Sequence, residues 1–131
     1  MILVDTSVWI DHLRDEASPE ARRLARALED NEDLCICGLI WTEILQGIRS
    51  DRQYRQVKRS LGALIYLPLD RAGHTRAADL YRRARRHGRT IRNTADCIIA
   101  ACAIAHNVPL LQKDRDFETI AAVCELRLVR V

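Results

Sequence analysis

The chain alternates short apolar runs with longer stretches of helical periodicity. Ile2–Val4 is an uninterrupted aliphatic triplet that runs into the turn and cap residues Asp5, Thr6 and Ser7, the pattern of a short buried strand. Trp9, Ile10 and Leu13 then recur at helical spacing within Ser7–Leu13, and Leu24 and Leu28 do so within Glu20–Glu29. Leu34–Cys37 predicts a second strand, broken at Gly38, and Leu39–Ile48 a strongly apolar helix that ends near Gly47–Ser50. Asp51–Leu61 carries Tyr54, Val57 and Leu61 on one helical face, and Ile65–Leu67 is a strand stopped by Pro68. Asp70–Arg86 is a long amphipathic helix through Ala77, Leu80, Tyr81 and Ala84. Thr94–His106 is apolar nearly all round, so it belongs in the interior. Pro109–Gln112 predicts a strand, Phe117–Val123 a short helix and Leu126–Val129 a final strand. Strands alternating with helices imply one α/β unit over residues 1–131, with a mainly parallel sheet of about four to five short strands flanked by helices.

Composition adds limits. At 131 residues the chain suffices for one proper core, and with 5% aromatic residues the aliphatic side chains must fill it. No apolar run approaches the roughly 20 residues needed to span a bilayer, and no basic stretch leads into an apolar one at the N-terminus, so the expected location is cytoplasmic. Five cysteines, an odd number set among Ile, Leu and Ala, fit reduced thiols acting as small hydrophobes. Neither they nor His12, His74, His87 and His106 reproduce a zinc spacing. The net charge is +3, and the basic residues are almost all arginine, Lys58 and Lys113 being the only lysines. The densest run, Arg82–Arg92, reads both as a cationic helix end closed by Gly88 and as a phosphate-contacting patch. Arg82, Arg86, Arg89 and Arg92 are the candidates for contact with a nucleic-acid backbone.

The acids fall in unusual places. Asp5 follows the first strand, Glu43 lies in the apolar helix after the second, Asp96 opens the most apolar helix, and Asp114 and Asp116 follow Pro109–Gln112. In a parallel sheet the strand ends share one edge, where such folds place their sites. Each acid has a simpler explanation: Asp5 or its neighbours and Asp114 as helix caps, and Asp96 as the acid of a capping box begun at Asn93. Glu43 has none, because no cation stands three or four residues away. Carboxylates gathered in one crevice raise one another's pKa, a conflict that a divalent cation resolves, and an all-oxygen set suits Mg²⁺ or Mn²⁺. Beside an arginine-rich surface, that points to phosphodiester hydrolysis, with Glu43 as the group that orients or deprotonates water.

VDTSVWIDHL, the Glu of TEILQGI, NTADCIIAACAIAHNVPLL and KDRDFETI, taken together and in this order, resemble the PIN domain, and more narrowly the VapC toxins of VapBC toxin–antitoxin pairs. The resemblance implies an Mg²⁺- or Mn²⁺-dependent endoribonuclease that cuts tRNA or ribosomal RNA and arrests translation. It places the acidic quartet on Asp5, Glu43, Asp96 and Asp114, with Asp116 as a fifth acid and further metal ligand, and a supporting hydroxyl on Ser7. It also implies a homodimer and a VapB antitoxin that covers the acidic crevice. One departure is Gln112, where the family usually has Thr. Two rival readings are a receiver-type signalling domain, for which Lys113 after a strand is the main support, and an idle PIN fold kept for binding RNA or a partner.

Overall fold

Ile2–Val4 (β1) is wholly buried and pairs on both sides, which makes it the centre of the molecule. The computed structural model describes residues 1–131. Leu34–Cys37 (β2), Ile65–Leu67 (β3) and Leu110–Leu111 (β4) complete a four-stranded sheet of order β3-β2-β1-β4, parallel throughout. Leu3 stands opposite Cys35 on one side and Leu110 on the other, and Cys37 stands opposite Leu67. The helices are Thr6–Leu13 (α1), Pro19–Glu29 (α2), Gly38–Gln46 (α3), Asp51–Gly62 (α4), Arg71–Arg86 (α5), Thr94–Ala105 (α6) and Arg115–Ala121 (α7). No helix is long and apolar enough to cross a membrane.

Local chemistry sets most of these boundaries. Ser18, Ser50, Asp70 and Asn93 each accept a backbone N–H at a helix start, through bonds of 2.9–3.3 Å. Four helices end on a residue in the left-handed region: Asp15, Asn31 and Asn107 at φ of 53–54° and Gly88 at 71°. Asp and Asn tolerate that conformation better than other side chains, and glycine adopts it freely.

Two expected elements differ. Leu126–Val129 is not a strand: Leu128 forms a single parallel bridge to Leu110, supported by Leu110 N–H to Arg127 O and Val129 N–H to Leu110 O, both 2.9 Å. Its partner β4 is only two residues long, because Pro109 has no N–H to donate and the chain turns away beyond Leu111. The last helix starts at Arg115 instead of Phe117, because Asp114 caps it by accepting Asp116 N–H at 2.9 Å. Smaller shifts begin α3 at Gly38 and end it at Gln46.

One cluster of 33 buried apolar residues joins the sheet to the helices. α6 packs along α5 and is buried on most of its faces, as its composition requires. Phe117, the chain's only phenylalanine, is fully buried on α7, one residue beyond Asp116. Asp11 is also buried and is paired with Lys113, which ties α1 to the segment after β4. Truncating Phe117 to Ala removes the largest fully buried side chain, and we expect a loss of about 3–5 kcal/mol in urea unfolding at neutral pH. A loss below about 1 kcal/mol would mean that α7 is not anchored through this ring.

Candidate metal centre

The chain order reverses around β1, which has β2 on one flank and β4 on the other, and a crevice opens beyond the strand ends at such a reversal. Asp5 immediately follows β1, and its N–H donates to Leu111 O at 2.9 Å, which fixes it beside the end of β4. Asp114 and Asp116 begin the segment after β4, and Asp96 lies in the first turn of α6. Carboxylate oxygens of Asp96, Asp114 and Asp116 all lie within 4.8 Å of one another. Asp5 and Glu43 stand outside that group, yet close enough that both act on the charge of Asp96.

Each acid is held differently. Asp5 Oδ2 accepts the Ser7 hydroxyl at 2.6 Å and the Ser7 N–H at 3.3 Å. Burial pushes its pKa up, and the Ser7 bonds partly offset that rise. Glu43 Oε1 accepts the Thr6 hydroxyl at 2.9 Å. Asp114 Oδ1 takes the Asp116 N–H and, at 3.3 Å, Arg92 Nη2. Asp116 has both oxygens engaged by Arg92, Oδ2 by the backbone N–H at 3.1 Å and Oδ1 by Nε at 3.4 Å. Asp116 is therefore the buried anchor of the pair, 8% exposed at its side chain against 41% for Asp114.

Asp96 has no protein donor. Asn93 caps α6 through Ala95 N–H at 3.0 Å, so the capping-box explanation of Asp96 fails: its carboxylate does not return to the cap. Burial first, and then the charges of Asp114, Asp5, Asp116 and Glu43, push it up to about 7. The set Asp5 Oδ1, Glu43 Oε2, Asp114 Oδ2 and both oxygens of Asp96 remains without a protein donor. Crowded anionic oxygens with unused lone pairs are the donor set of a hard divalent cation, and neither imidazole nor thiolate belongs to the group. Cys97, the neighbouring thiol, is pushed up to about 11 by its burial and by Asp96, so it is protonated and no rival ligand. The acidic residues present fit a divalent metal.

Thr6, and the part Arg92 takes in the acidic group, were not legible in sequence. Thr6 reads in sequence only as a cap, and its role depends on a contact across 37 residues. Arg92 reads as one more RNA-facing arginine, whereas it spans Asp114 and Asp116. Its backbone bond to Asp116 fixes the α5–α6 connection to α7, while its side chain is 71% exposed. Arg82, Arg86 and Arg89 are exposed and form no ion pair. Gln112 makes no bond to the acidic group; its buried Oε1 has no partner, and it lines a groove with Leu126 and Leu128. Lys113 bridges Asp11, away from the acids, which removes the feature that supported the receiver reading.

The PIN domain family model matches residues 2–123. Ribonuclease VapC11 of Mycobacterium tuberculosis is 39% identical over 129 residues, covering 97% of this chain and 96% of the relative. VapC ribonuclease Mb1587 of Mycobacterium bovis matches to the same extent. Among solved structures, VapBC2 from Rickettsia felis bound to a promoter DNA fragment superposes with a TM-score of 0.75 at 19% identity, covering 98% of both chains.

An acid whose pKa rises on folding makes the folded state bind its proton more tightly. Stability from Asp96 is therefore full below the ordinary value of 3.8, falls as pH climbs, and is lost above about 7. In EDTA, Asp96→Asn is expected to exceed the wild type by about 1–3 kcal/mol at pH 8 and to match it near pH 4. Asp5 repels Asp96, so the Asn variant relieves that repulsion as well, and the relief adds to the difference in the same direction. Equal denaturation midpoints at pH 8 would show that Asp96 is not crowded by charge.

Proposed function

This chain belongs to the PIN domain family and, within it, to the VapC ribonucleases, and we propose that it is a divalent-metal-dependent endoribonuclease serving as the toxin of a toxin–antitoxin pair. The observation that carries the reading is the convergence of Asp96, Asp114 and Asp116, with Asp5 and Glu43 in electrostatic reach, at one edge of a parallel sheet. Asp5, Asp96 and Asp114 are the residues that would hold Mg²⁺ or Mn²⁺, since each keeps an oxygen without a protein donor. Asp116 supports them from behind through Arg92. A divalent cation held there would supply charge stabilisation at the phosphoryl group.

The chain's own residues do the rest. Thr6 occupies Oε1 of Glu43, which leaves Oε2 to orient the attacking water and accept its proton. Ser7 locks the rotamer of Asp5 in the same way. Arg82, Arg86 and Arg89 offer cationic contacts for the flanking phosphates of an RNA strand. Arg92 is removed from that set because its guanidinium is committed to Asp114 and Asp116. We assign tRNA or ribosomal RNA as the substrate class, with inhibition of translation as the consequence, in a cytoplasmic homodimer restrained by a VapB-type antitoxin. The resemblance in the motifs supports these assignments, and a toxin–antitoxin complex from Klebsiella pneumoniae shares the fold.

Two outcomes test the reading. Purified protein given total cellular RNA should cut at a few discrete sites with Mg²⁺ or Mn²⁺ and not with EDTA. Asp96→Asn should lower cleavage by about 100-fold or more; folded proteins that never cut with either metal would return the acids to a binding role. Replacing Arg82, Arg86 and Arg89 together should weaken RNA binding and flatten the slope of log K against log salt by about 2. An unchanged slope would leave those arginines as a solvated helix end.

A further inference from the structure

Cys37 closes β2 and is also the residue from which α3 starts. Cys102 lies in the middle of α6, with Sγ 3.6 Å from the carbonyl oxygen of Leu67. Leu67 is the register partner of Cys37, so the Cys102 thiol reaches across the sheet to the very position that β2 gives to Cys37. The two cysteines are therefore neighbours, both buried at 4% and 1% exposure. Both also line a cavity of about 340 Å³, whose rim includes Gly38, Leu39, Thr42 and Tyr66. The missing side chain at Gly38 matters here. A Cβ there would stand 2.7 Å from the Tyr66 hydroxyl oxygen, so any larger residue would push Tyr66 from the wall beside Cys37.

We propose that Cys37 and Cys102 form a peroxide-reactive dithiol that closes to a disulfide in the wall of this cavity. Cys37 is the attacking group. It is the N-cap residue of α3, and a helix N-terminus favours thiolate. The Cys37 pKa is lowered, chiefly by the neighbouring Cys102, while Cys35, Cys97 and Cys124 are all raised by burial. The Cys37 thiolate attacks one oxygen of hydrogen peroxide. An S–O bond forms, the O–O bond breaks and hydroxide leaves, so the sulfur is oxidised by two electrons to sulfenic acid and the peroxide is reduced. The Cys102 sulfur then attacks the sulfenic sulfur; the S–S bond forms, the S–O bond breaks, and the departing hydroxide takes the Cys102 proton as water. Two thiols and one peroxide become one disulfide and two waters. The cavity admits so small an oxidant to sulfurs that the fold otherwise buries.

The test is a thiol count, an intact mass and a peptide map of the full, reduced chain before and after hydrogen peroxide. The wild type should lose two of its five thiols and two hydrogens in mass, with a cross-link joining Cys37 to Cys102. Cys35→Ala, which spares the pair, should behave as the wild type does. Cys102→Ala should form no disulfide and should instead carry a Cys37 sulfenic acid, captured by a cyclic 1,3-diketone. The proposal is overturned by five surviving thiols, by a cross-link mapping to another pair, or by a disulfide that persists in Cys102→Ala. Should Cys102→Ala not fold, the wild-type map and Cys35→Ala decide the matter alone.

Discussion

The structure depends on a strand of three residues held from both sides. Ile2–Val4 hydrogen-bonds to β2 on one flank and β4 on the other, and each flanking strand returns parallel to it. Parallel pairing sends all the strand ends to one edge, so the residues that follow β1, β2 and β4 have nowhere else to go. The bond from Asp5 N–H to Leu111 O carries the pairing one residue past β1, and so holds the first acid of the site by backbone geometry. A side chain placed in that way is held by the backbone first and by Ser7 second. That is how a fold can keep a carboxylate where its charge is unwelcome.

The cost of such an arrangement must be met by the rest of the molecule. Two of the acids contribute to the fold directly: Asp5 caps α1 and Asp114 caps α7. Asp96 and Asp116 sit in the first turns of α6 and α7, where the helix dipole favours negative charge. Arg92 supplies the nearest positive charge, yet it reaches Asp114 and Asp116 and not Asp96. Repulsion therefore concentrates on one residue, the buried Asp96, in a helix whose remaining faces are packed with Ile, Ala and Cys. Capping and metal binding are not alternatives here, because each cap uses one oxygen and leaves the other.

How much of this was legible in sequence depended on the range of the signal. The strands β1, β2 and β3 were read to the residue, because their apolar runs are stopped by Asp5, Gly38 and Pro68. Positions set by pairing were not: Leu126–Val129 has a strand's composition, but a two-residue β4 offers it one bridge. Glu43 was conspicuous as an acid without a local partner, and the partner proved to be Thr6, unreachable by any reading of helical spacing. Arg92 was one of four arginines that sequence treats alike; only the fold of the α5–α6 connection separates it from Arg82, Arg86 and Arg89. Cys37 and Cys102 likewise read as separate core residues, and their neighbourhood follows from the register of β2 against β3.

The thiols and the acids share two helices. On α3, Glu43 follows Cys37 by six residues; on α6, Cys102 follows Asp96 by the same interval. Six residues of α-helix rise about 9 Å, so each thiol stands less than two turns from an acid on the same rigid rod. α3 and α6 also pack against each other. Closing the disulfide draws the two sulfurs to about 2 Å from each other. A close-packed interior passes such a displacement along helices without absorbing it locally. The displacement would act on the separation of Glu43 from Asp96, which no hydrogen bond between these two residues fixes.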